Sequence, residues 1–143
     1  MTLHASCVVW QEMGVLLRGP SGIGKSDLAL RLIDHGAVLV ADDRVLIERD
    51  GDRLLASPPE ILAGLLEVRG LGILRFPHQA KAPIRLVVQL VELSEMERLP
   101  ESATEDILGI SLPLRLLSAR EPSAHTKVRL AMQHAAGLIM SAP

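Results

Sequence analysis

Aromatic side chains are nearly absent from this 143-residue chain: it has one tryptophan, Trp10, one phenylalanine, Phe76, and no tyrosine. A core must therefore be assembled from Leu, Val, Ile and Ala. The aromatic stacking platforms that hold single-stranded nucleic acid are disfavoured. Net charge is -2 at pH 7, so the basic excess expected of a nucleic-acid binder is missing too. Cysteine occurs once, at Cys7, which excludes a disulfide framework and makes a cytoplasmic setting the natural one. Met1 to Trp10 lacks the basic start and long apolar run of a secretory signal. No apolar stretch reaches bilayer-spanning length, so no membrane partner is expected. Disorder is disfavoured by a hydrophobic content of 48%, and the length suits one domain, 1–143, with a core of its own.

What is present is a phosphate-binding signature. Residues Gly19, Pro20, Ser21, Gly22, Ile23, Gly24, Lys25 and Ser26 spell G-x-x-x-x-G-K-S. The glycines let the backbone wrap an anion with N–H groups turned inward. Lys25 would reach the terminal phosphates as a point charge, and the Ser26 hydroxyl would ligate Mg²⁺. A helix opening near Lys25 adds its positive end. The apolar run Val15 to Leu17 before the loop has strand character. After it, Leu28, Leu32 and Ile33 share a helical face from Asp27 to His35, with Gly36 as C-terminal cap.

The remaining elements alternate. His4 to Val9 reads as a strand with Val15 to Leu17 as its antiparallel return. Ala37 to Ala41 is a continuous apolar run, typical of a strand buried on both faces. Arg44 to Glu48 continues as strand, and Asp50-Gly51 signals a hairpin returning at Leu54-Leu55. Ser57-Pro58-Pro59-Glu60 has the form of a capping box opening a helix to about Leu66. Leu71 to Leu74 is a short strand, and Ile84 to Leu93 the longest one. Met96 to Ser111 is poorly patterned and reads as loop or a short helix. Lys127 to Ile139 carries Val128, Met132, Ala135 and Ile139 at helical spacing. The expected class is α/β, a mixed β-sheet with flanking helices and a phosphate-binding loop.

Phosphoryl transfer also needs a metal-ligating acid, a carboxylate to orient or deprotonate the nucleophile, and a cation. Asp42 and Asp43 stand at the carboxyl end of a strand, where open α/β sheets place their sites. Adjacent strand residues face opposite ways, so one acid can face phosphates while the other turns to a neighbour. An ordinary Asp-Asp-Arg turn is the competing reading. Glu67 and Arg69 lie in a glycine-rich stretch and are either a metal ligand with a phosphate-facing arginine or part of a helix C-cap. Glu92, closing the longest strand, is the acid that a generic nucleoside-triphosphatase reading selects. His4 is a lone histidine, structural on pattern alone. His35, His78, His125 and His134 have no metal-ligand spacing. Arg98 and Arg115 are candidate cations that composition does not single out, and Cys7 reads as a small core residue.

Three segments together resemble the catalytic domain of HPr kinase/phosphorylase, the bacterial enzyme that phosphorylates a serine of the phosphocarrier HPr. They are Gly19 to Asp27, Leu39-Val40-Ala41-Asp42-Asp43, and Leu66-Glu67-Val68-Arg69-Gly70-Leu71-Gly72-Ile73, close to the family's E-I-R-G-L-G-I signature. The resemblance implies a phosphoenolpyruvate-carboxykinase-like fold, ATP and Mg²⁺ as cofactors, and an HPr-type protein of the phosphotransferase system as partner. It makes Lys25 the phosphate-holding lysine, Ser26 and Glu67 the magnesium ligands, and Asp43 the catalytic aspartate. It makes His4 the histidine supporting that aspartate, Asp42 the neighbouring carboxylate, and Arg98 an arginine near the reacting phosphate. The chain begins almost at the family's histidine, like the short form of alphaproteobacteria. The long form is a hexamer, so a homo-oligomer is expected. Ser111 to Leu116 lacks the family's P-x-R-P-G-R pattern, so the resemblance carries the kinase direction further than the phosphorylase direction. A small-molecule kinase and a non-catalytic nucleotide sensor are the alternatives.

Overall fold

The computed structural model describes residues 1–142. Eleven strands and two helices follow one another: β1 Thr2–Leu3, β2 Ala5–Trp10, β3 Met13–Arg18, α1 Lys25–Asp34, β4 Val38–Ala41, β5 Val45–Asp50, β6 Arg53–Ser57, β7 Leu65–Val68, β8 Gly72–Arg75, β9 Ala82–Leu90, β10 Ala103–Ile107, β11 Ile110–Leu117 and α2 Ala124–Ala135. The large sheet is mixed. β3, β9 and β11 run parallel at its centre, so Arg18, Leu90 and Leu117 finish at the same edge. β2 pairs antiparallel with β3 and with the edge strand β4. β5, β6 and β1 continue the sheet on the other side of β9, and β7 pairs β8 as a separate hairpin.

Strand alternation divides the core into two layers. Val8, Val15, Leu17, Leu86 and Val88 meet Leu28 and Leu32 of α1 and Val128 and Met132 of α2. Ala5, Cys7, Leu16 and Val87 face the other way, and there the curled sheet closes on itself through Ile47, Leu54, Ile107 and Leu112. With so few aromatics, branched aliphatics on two curled layers do the filling. Cys7 is one of them, and burial pushes its thiol up to about 12.

Ile84 and Leu86 are both even-numbered yet lie in opposite layers. A bulge explains this: Gly14 pairs with Ile84 and Val15 with Leu86, leaving Arg85 unmatched and exposed. At that point a Cβ on Gly14 would lie 2.5 Å from the Pro83 carbonyl oxygen, so only glycine lets β3 approach.

Three expectations need correction. The helix expected from Ser57 to Leu66 is a single 3₁₀ turn, Glu60–Leu62, without a side-chain cap. Two prolines hold the entry extended, and Gly64 at φ +77 turns the chain where a Cβ would meet His78 Nδ1 at 2.8 Å. The next residues are therefore free to form β7, which also removes the helix C-cap reading of Glu67. Met96 to Ser111 contains β10 and the start of β11, joined at Leu108 and Gly109, both with positive φ. The last helix ends at Ala135, so Ala135 and Ile139 are exposed while Ala124, Val128 and Met132 are buried. β4 is buried on both faces from Leu39 to Ala41, as its apolar run implies, and only Val38, at the start of this edge strand, is exposed.

Gly14→Ala should lower unfolding free energy by about 1–3 kcal/mol, seen as a lower urea midpoint; an unchanged midpoint would mean β3 and β9 can separate without cost. The Cys7 thiol has an ordinary value of 9.0, raised by burial to about 12. Its contribution to stability is thus fully present below about pH 9 and is lost as pH rises toward 12. At pH 8 the native chain should resist alkylation at Cys7 and react once unfolded.

Candidate functional site: the phosphate-binding loop and its acidic rim

The loop leaves the carboxyl end of β3 and is built to present backbone N–H groups. A Cβ on Gly19 would meet Ile23 Cγ2 at 2.7 Å and the Leu90 carbonyl oxygen at 3.1 Å, so the strand end and the loop touch as backbone. Gly24 caps α1 in the left-handed region at φ 108, with no side chain bonded to the helix start. The first-turn N–H groups of α1 therefore have no side-chain cap, and the helix dipole points its positive end at the same place. Lys25 Nζ donates to Gly19 O at 2.6 Å and Pro20 O at 3.1 Å, folded back over its own loop. An anion in the cradle would exchange those carbonyls for phosphate oxygens.

A cavity of about 720 Å³ opens over this loop and the first two turns of α1. Its wall brings together Ser21 to Asp27, Asp43, Glu67, Val68, Arg69 and the connection Ala119 to Pro122. Asp43 sits at φ +68, a conformation rare for a residue with a side chain. The Arg44 N–H donates across it to Asp42 O at 2.8 Å, closing a three-residue turn. That turn separates the two acids. Asp42 is buried, and Asp43 is exposed on the cavity wall. Glu67 reaches the wall by alternation: Leu66 and Val68 bury against Leu39, so the residue between them faces out.

Not every residue singled out in the sequence reaches the cavity. Leu3 pairs with Val45 and Cys7 with Ala41, leaving three residues on each side. His4 thus falls level with Arg44, one residue from Asp43, although it does not line the cavity. Arg98 is exposed on the segment before β10 and is not part of the wall. Arg115 contacts His134 Nδ1 at 3.2 Å, beside α2. Glu92 pairs with Arg120 at 3.3 Å instead of facing the loop, against the generic triphosphatase reading.

Sequence reasoning missed Ala119 to Pro122. The Arg31 guanidinium donates to the carbonyls of Ala119 and Glu121 and clamps this connection to α1. Nothing local signals it, because the parallel pairing of β11 on β9 is what delivers the connection to the loop. Beyond the cavity, the His35 and His125 rings lie 4.3 Å apart. The His125 value is lowered, by burial first and then by His35, Arg31 and Arg129.

Mg²⁺ prefers one or two protein oxygens completed by water and phosphate, so a hydroxyl and one acid suit it without an all-protein cage. Among the described residues no group of three or more His, Cys, Asp or Glu is arranged to hold a metal ion. Ser26 and Glu67 on one cavity wall fit the smaller requirement.

Residues 1–128 match the family model described as HPr Serine kinase C-terminal domain. The chain belongs to that family. Curated relatives include the HPr kinase/phosphorylases of Burkholderia lata and Burkholderia cenocepacia, each 45% identical over a match covering 78% of this chain. The chain spans 38% of the length of those relatives. Among solved structures, the HPr(Ser) kinase/phosphatase from Coxiella burnetii matches with a TM-score of 0.85 and 30% identity, covering 96% of this chain and 98% of that one. The catalytic-domain fold expected from the three sequence segments is thus the fold found.

Gly24→Ala would place a methyl group 2.9 Å from Ala119 Cβ at a left-handed position. On the nucleotide-binding reading proposed below, it should weaken ATP binding at least about tenfold while the circular dichroism spectrum is kept. Undiminished affinity would show that the cradle does not depend on this glycine.

Proposed function

We propose that the chain is an ATP-dependent protein-serine kinase acting on an HPr-type phosphocarrier, working as one domain in the cytoplasm. The observation that carries the reading is the meeting of Asp43, Glu67 and the phosphate-binding loop on one cavity wall. These residues come from three separate parts of the sequence, and a passive glycine turn would gather none of them.

The cavity lining supports the roles that the family resemblance implies. The amide cradle and Lys25 hold the triphosphate of ATP as substrate. A magnesium ion held by Ser26 and Glu67 would neutralise charge between the terminal phosphates. Asp43, pinned by its tight turn, accepts the proton of an incoming serine hydroxyl, a poor nucleophile unless a base stands within hydrogen-bond reach. His4, level with the turn, supports that aspartate. Arg69 and Arg120, both on the wall, take the role of spreading-charge stabilisers. Arg98 enters only if the exposed segment carrying it moves over the cavity. The same aspartate returns a proton in the reverse direction, so phosphorolysis of phosphoserine uses the same groups.

The sensor reading differs in one respect: it has no need of a strained acid facing the phosphates. Asp43→Asn separates the two, because asparagine tolerates the left-handed turn and keeps the shape. With Mg·ATP and a purified HPr-type protein, the wild-type chain should add phosphate to a serine, read by mass spectrometry. Asp43→Asn should slow that transfer by about 10²–10⁴-fold and leave ATP affinity within about twofold. Transfer at the wild-type rate in the variant would remove Asp43 from the base role. No transfer by the wild-type chain, with ATP bound, would favour the sensor.

A further inference from the structure

Among the described residues three polar side chains are buried: Ser6, Asp42 and Ser118. Ser118 is spent on its own turn, accepting from the Arg120 N–H at 3.2 Å. The other two touch. Ser6 Oγ donates to Asp42 Oδ1 at 2.7 Å, and Ser26 Oγ donates to the same oxygen at 2.7 Å. Ser6 stands on β2 in a run of five buried residues whose other members are Ala5, Cys7, Val8 and Val9. A hydroxyl in such a wall costs free energy unless it is hydrogen-bonded, and an apolar side chain would fill the place as well.

We propose that Ser6 is a positioning residue for the metal ion of the nucleotide site, acting through Asp42 on Ser26. The inference rests on the reading of Ser26 as a magnesium ligand. An ionised carboxylate only accepts, so the single hydroxyl proton of Ser26 is committed to Asp42. The lone pairs of Ser26 are then left for a cation in the cavity it lines. One donor does not hold a carboxylate still, because its terminal torsion is broad. Ser6 supplies a second donor to the same oxygen from a paired strand, and that fixes the acceptor Ser26 must meet. Asp42 thus orients a ligand instead of being one, and Ser6 is the anchor on which it turns.

The test is ATP binding by titration calorimetry, once in Mg²⁺ and once in excess chelator, for the wild-type chain and Ser6→Ala. In Mg²⁺ the variant should bind about five- to tenfold more weakly, the worth of one buried hydrogen bond. In chelator the two should agree within about twofold. Equal losses in both media would reduce Ser6 to a structural residue, and no loss in Mg²⁺ would overturn the inference outright. Should Ser6→Ala not fold, Asp42→Asn takes its place, with the same selective loss expected and an equal loss overturning it. Wild-type binding that ignores Mg²⁺ would sink the ligand role of Ser26 and this inference together. Wild-type binding strengthened by Mg²⁺, with Ser6→Ala strengthened equally, sinks this inference alone.

Discussion

One buried carboxylate joins the parts that make the site. Asp42 accepts a hydrogen bond from Ser6 of β2 and another from Ser26 of α1, while its own backbone follows β4 and begins the turn carrying Asp43. Two strands and a helix therefore meet at a single oxygen. Among the described residues Ser6 and Ser118 are the only other buried polar side chains, so the arrangement has few alternatives. The relative placement of the loop, Ser26 and Asp43 follows from that restriction.

Asp43 is the strained residue at this point; the other non-glycine residues with positive φ, Gln11, Glu12 and Leu108, sit in hairpin turns elsewhere. Asp43 occupies the left-handed region, Gly24 the same region at the helix start, and Gly19 lies where any side chain would strike Ile23. A non-glycine residue so held costs on the order of 1–3 kcal/mol and persists only where the surroundings over-determine it. Here they do. The parallel centre of β3, β9 and β11 is packed on both faces, and Arg31 clamps the Ala119 to Pro122 connection against α1. In the proposed kinase this strain would serve pre-organisation: the acid is already turned toward the phosphates before a hydroxyl arrives.

The Lys25 contacts suggest how the cradle passes between states. Its ammonium rests on two carbonyls of its own loop, a local arrangement that needs no rearrangement of the core to undo. By contrast the acid side of the cavity is held by tertiary contacts. Anion binding would therefore reorganise a side chain while Asp43 and Glu67 stay in place.

Much of this was legible in the chain. The glycine spacing and the Lys25-Ser26 pair specify a cradle and a helix start locally, since each depends on backbone freedom and one neighbouring turn. The Leu66 to Ile73 stretch, together with the phosphate loop and Leu39 to Asp43, carries the family resemblance. Other features were illegible for physical reasons. Pro58-Pro59-Glu60 imitates a helix cap, and only the pairing of β7 with β8 makes the following leucines a strand. Met96 to Ser111 shows no period because it holds a short strand, β10, whose residues are mostly exposed, together with the turn and the first residues of β11. Sequence alone determined the anion cradle, the acids available to it and the aliphatic character of the core, because these are properties of residues and their near neighbours. Which of Asp42 and Asp43 faces the cavity, that Glu67 joins them while Arg98 and Glu92 do not, and that Ser6 reaches across to Asp42 were decided by the tertiary structure. Strand register and a single turn at φ +68 set those directions, and neither is written in any one segment.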